Sequence, residues 1–290
     1  MPSAIPRLRV IDMVTQGVAN TFRLSVGFVG LYLVPWALGI AASVAAEAFM
    51  RENFGSEVLA KFIGDLAWAP FSAMAMVPMF RYALGEFRPV NWLHLEWSKE
   101  VKLVSIILLI WYAAAALLDH AQTLGYARIA NALSPPSALN QASWAEFERV
   151  LNAVHFATYM LRNFLECLVV LCVIGMVPIA IVRKDFYVGE NLRLVRAGPM
   201  AHFFVIAYAG LVIAAVYWLL WAKVVAAVNL PTANFALTTW REYIIYDYVQ
   251  RAANFPSSLF SGSLVACLLA LVWRHWTATS APPDRAEQLS

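Results

Sequence analysis

Several stretches of this chain are too long and too free of charge to fold in water, and they constrain the fold before any other feature does. Leu24 to Ala46 and Phe203 to Ala222 contain no charged residue at all. A helix crossing a hydrocarbon core about 30 Å thick needs about 20 residues at about 1.5 Å each, so each of these runs predicts one membrane span. Pro256 to Trp273 and Leu103 to Leu118 are shorter, and the second extends to the interface through Val101 and a snorkelling Lys102. Leu66 to Phe80 and Cys167 to Val182 reach spanning length only by recruiting charged neighbours, Lys61 and Asp65 in the first case and Arg162 and Glu166 in the second.

The expected fold is therefore an all-α, polytopic transmembrane helical bundle of about six spans, near residues 24–46, 58–80, 101–118, 156–182, 203–225 and 256–273. These form one domain over residues 1–276, followed by a polar tail, 277–290, expected to be disordered. Composition agrees, with 61% hydrophobic and only 13% charged residues. That balance excludes a disordered chain and a nucleic-acid binder. The first residues lack the apolar core and cleavage site of a signal peptide, so the first span is expected to remain in the mature protein.

Most of the 21 Lys and Arg residues fall on the side of the bundle that holds both termini. The positive-inside bias then predicts a multi-pass membrane protein with both ends cytoplasmic. Three segments on that side, Ile5 to Phe22, Phe87 to Lys102 and Asp185 to His202, read as amphipathic interfacial helices. In the first, Ile5, Leu8, Ile11, Val14 and Val18 recur at near-helical spacing. The cations in and beside them, Arg7, Arg9, Arg81, Arg88, Lys99, Lys102, Arg193 and Arg196, are candidate contacts for anionic lipids or for other membrane subunits.

On the opposite side, residues 120–143 contain Pro135-Pro136 and read as loop with at most a short helix, and Ser143-Trp-Ala-Glu146 reads as a capping box. Thr238 to Arg251 mixes Trp240 and three tyrosines with charges, as in an aromatic belt. Small residues four apart, such as Gly39 with Ser43, Ala69 with Ala73 and Gly210 with Ala214, predict close helix packing.

Chemistry is sparse. Cys167, Cys172 and Cys267 lie in apolar runs and form no metal or redox motif, no phosphate loop or nucleophile elbow is present, and no histidine sits mid-span to hold a pigment. No cofactor and no metal are expected. The one polar constellation is on the fourth span, where Glu148, Asn152, His155, Thr158, Arg162 and Glu166 make a single stripe. Charge at the bilayer centre costs about 2.5–3.5 kcal/mol, so Arg162 and Glu166 should face protein or water. Glu47, Lys61 and Asp65 fall at a similar depth, and with His155, Arg162 and Glu166 they are read as one intramembrane polar cluster.

After the second span the chain reads Phe80-Arg-Tyr-Ala-Leu-Gly-Glu-Phe-Arg-Pro89 and Trp97-Ser-Lys-Glu-Val-Lys102, and after the fourth Phe186-Tyr-Val-Gly-Glu-Asn-Leu-Arg-Leu-Val-Arg-Ala-Gly198. This layout resembles bacterial inner-membrane proteins related to the membrane domain of glycerophosphodiester phosphodiesterase, in which a basic amphipathic segment precedes a span. It departs at Arg196-Ala-Gly198, which replaces a more polar run. The resemblance implies an all-helical module without the phosphodiesterase barrel and transfers no catalytic residue. The resulting expectation is a non-enzymatic accessory subunit or lipid-associated scaffold, with a small transporter component as the alternative.

Overall fold

The computed structural model describes residues 9–55, 57–86, 95–133, 141–228, 248–249 and 251–280. Among them every regular element is a helix: α1 Val10–Arg23, α2 Ser25–Phe54, α3 Glu57–Ala83, α4 Lys99–Ala132, α5 Gln141–Val173, α6 Met176–Arg183, α7 Val188–Arg196, α8 Pro199–Val228 and α9 Phe255–Ser280. Six spans are long and apolar enough to cross a membrane, with α5 and α6 together forming the fourth. The protein is an integral, multi-pass membrane protein.

Antiparallel α2 and α3 form the first pair, and α4 packs on α3. Ala69, Ala73, Val77 and Phe80 of α3 meet Val104 and Ile107 of α4, Ile179 and Ala180 of α6, and Ala270 and Val272 of α9 in the main core. A second cluster joins Phe28, Leu31 and Tyr32 of α2 to Met79 and Ala266. The small residues are used unevenly: Ala69 and Ala73 are fully buried, as the spacing predicts, whereas Gly210 is exposed with open space beside it.

α1 is helical, but its buried face differs from the expected one. Val14 is 1% exposed and Ile11 68%. Val10, Met13, Val14 and Val18 pack on Val205 and Ala209 of α8 and Leu264 and Leu268 of α9. Neighbouring spans, rather than the summed apolarity of the segment, choose the face. α7 is amphipathic as expected, with Asn191 and Val195 buried and Arg193 and Arg196 outward.

Three other expectations are corrected. Residues 120–132 are not loop, because α4 continues through them for 34 residues in all, about 50 Å of helix. Four of these residues are Ala, which favours helix, and no proline intervenes before Pro135. α5 already runs from Gln141, so Ser143 lies inside it and does not cap it. The tail is still helical to Ser280, with Thr277 donating to the Trp273 carbonyl at 3.0 Å. Residues 281–290 and most of the 238–251 aromatic segment lie outside the described residues.

The fourth span is broken at Ile174-Gly175. Pro178 has no N–H to give to the Ile174 carbonyl. Asn191 of α7 enters the break at the neighbouring groups: its amide donates to the Cys172 carbonyl and accepts from the Gly175 N–H at 2.8 Å. A Cβ on residue 175 would collide with that amide, with the Trp276 ring only 3.1 Å away.

Candidate functional site

The six residues read as one polar cluster divide by their partners into two groups, each completed by a residue the sequence reading did not include. In the first, Glu47 on α2 is 4% exposed. Arg251, in the helical turn before α9, donates to its carboxylate and, at 2.6 Å, to Ser43 Oγ. Gly64 of α3 makes room for this pair, since a Cβ there would fall on the Glu47 side chain. Lys61 is exposed on α3, one turn from Gly64.

Beside that ion pair is a cavity of about 270 Å³ between α2, α3, α4 and the start of α9. Asp65 and Arg251 supply its charges, Ser43, Ser258 and Tyr112 its hydroxyls, and Trp36 and Trp68 its indole walls. The Tyr112 hydroxyl is held 3.1 Å from Ser72 Oγ. Depth follows from helix geometry: Ser43 lies about 27 Å along α2 from Ser25, near the far edge of the apolar core, and Trp36 about 17 Å along. The cavity therefore runs from headgroup depth towards the middle of the membrane. Inward of it, Phe255 meets Trp36 edge-on and Tyr32 at a tilt, with ring centroids 4.6 and 6.1 Å apart. The buried Phe28, Leu31 and Met79 continue that floor.

In the second group, Arg162 on α5 donates from Nε to Asp119 of α4 at 2.8 Å and lies 2.6 Å from Glu166. This triad, 19–46% exposed by side chain, staples the two long helices. His155 lies farther out, exposed, edge-on to Tyr126 with ring centroids 5.3 Å apart. The stripe thus mates α5 to α4, and only Asp65 and Glu47 of the six adjoin the cavity or its ion pair.

At the basic end, the Glu100 side chain is 4% exposed and takes both Arg81, at 2.8 Å, and Lys184, at 2.9 Å. Arg81 is thereby engaged within the protein. Arg9, Lys99, Lys102, Arg193 and Arg196 point outward, and Arg7 and Arg88 lie outside the described residues. Among the described residues no group of three or more His, Cys, Asp or Glu side chains is placed to hold a metal.

Two signals in the sequence marked the missed partners. Asp119 directly follows the third apolar run, and Arg251 is the last charged residue before the sixth. No protein-family model, curated protein or solved structure matches the chain.

Proposed function

We propose that this is a non-enzymatic component of a bacterial inner membrane, acting as an accessory subunit of a larger membrane complex or as a lipid-associated scaffold. The observation that supports it most is the apolar packing beneath the cavity, where Phe28, Leu31 and Met79 are each no more than 1% exposed among the described residues. A broad unpaired apolar surface adds support. Phe156 and Leu161 of α5 and Leu211 and Trp218 of α8 are 59–69% exposed, which suits contact with lipid or a second membrane protein. The outward cations Arg9, Lys99, Lys102, Arg193 and Arg196 suit anionic headgroups.

Native mass spectrometry of the protein, extracted gently from its own membranes, tests the reading. A partner protein or a lipid held at fixed stoichiometry is the expected result. A bare monomer with neither would remove the proposal. A transporter component is the second reading, favoured by the opposite charges of Asp65 and Arg251 in one cavity. It requires the floor to open, which would appear as solute uptake into proteoliposomes.

A further inference from the structure

The cavity is lined by two chemically different sets of residues. One combines the Asp65 carboxylate with the aromatic rings of Trp68, Trp36 and Tyr112, side chains of the kind that select an organic ammonium by charge and by cation–π attraction. The other is the Arg251 guanidinium, flanked by Ser258. Ser43 and Glu47 fix its two terminal nitrogens, which orients the group while leaving it on the cavity wall, where it suits an anionic oxygen. About 270 Å³ is below the range of about 300–1,000 Å³ usual for drug-sized ligands, so the space suits a polar group of few atoms.

We infer that this cavity binds a zwitterion bearing an ammonium and a phosphate ester, the ammonium against Asp65 and the indoles and the phosphate against Arg251. Two sources offer that chemistry: the headgroup of an amine-bearing phospholipid, or the free glycerophospho-amine. The inference rests on the membrane reading but not on any partner protein, so losing the accessory-subunit proposal leaves it standing.

The test uses the full chain, purified and placed in nanodiscs of phosphatidylethanolamine and phosphatidylglycerol, with retained lipids counted by native mass spectrometry. Wild type is expected to retain phosphatidylethanolamine over phosphatidylglycerol, and Asp65→Asn to lose that preference by about tenfold, the scale of one charge-assisted contact. In a parallel arm, soluble glycerophosphoethanolamine is titrated and melting followed. Stabilisation of wild type but not of Asp65→Asn, without lipid preference, assigns the same chemistry to the soluble source. If Asp65→Asn does not fold, Trp36→Leu replaces it, removing one ring from the ammonium wall. No preference in either arm, or equal preference in wild type and a folded variant, overturns the inference.

Discussion

At the residue scale, the ion pairs divide the charged side chains into those that hold helices together and those that do not. Arg162 answers two carboxylates, whereas Arg128 on α4 is exposed. Arg162→Ala is therefore expected to lower the melting temperature clearly and Arg128→Ala hardly at all. Removing one partner of a well-buried pair costs about 3–5 kcal/mol, and the partial exposure of the Arg162 triad places it below that range. Equal melting of the two variants would remove the case for the staple. Glycines separate in the same way. Gly64→Ala drives a methyl into a Glu47 side chain that Arg251 pins, while Gly210→Ala enters open space. The first should destabilise and the second be neutral or slightly stabilising through helix propensity, as thermal melts in one detergent would show. Little of this was legible beforehand. Arg162 and Asp119 are 43 residues apart and Glu47 and Arg251 are 204 apart, and no periodicity links positions so distant. Sequence exposes the need for a partner, through the cost of charge in the membrane, but not which partner meets it.

At the element scale, the apolar runs were readable because span length is set by membrane thickness, and all six appear. Their ends were less so. α4 outruns its apolar core, since helix propensity does not stop where hydropathy does, and α5 stops where Pro178 and Gly175 allow Asn191 to enter. Asn191→Leu keeps the branched shape but leaves the Gly175 N–H and the Cys172 carbonyl without that amide. At about 1–3 kcal/mol for each of the two buried unsatisfied groups, a loss of about 2–6 kcal/mol is expected. Chemical unfolding of the variant beside Leu192→Asn, at an exposed position on the same helix, would check it. A variant as stable as wild type would mean that the break needs no amide.

At the scale of the whole molecule, the bundle has a basic end, tied by Glu100 to Arg81 and Lys184, and an opposite end where α4 and α5 meet through Arg162 and Tyr126. Both termini are expected on the basic side. Cysteines introduced at Arg9 and Arg128, both exposed, in a chain with its three native cysteines replaced, should then react oppositely with a membrane-impermeant maleimide on intact cells: Arg128→Cys labelled, Arg9→Cys protected until lysis. The reverse pattern would invert the orientation and the side on which the cavity opens.

The distance along the chain between Glu47 and Arg251 also bears on biosynthesis. Ribosomes add residues in order, so the carboxylate enters the bilayer with the first span, 204 residues before its guanidinium is made. Through the insertion of four further spans it must be sheltered by water or by the insertion machinery. A nascent chain released before residue 251 would leave that carboxylate without this guanidinium, a natural signal for membrane quality control. Pulse–chase of a chain ending at Trp221 should show rapid degradation, slowed by Glu47→Leu, so that arrival of the last span acts as the checkpoint for a finished molecule.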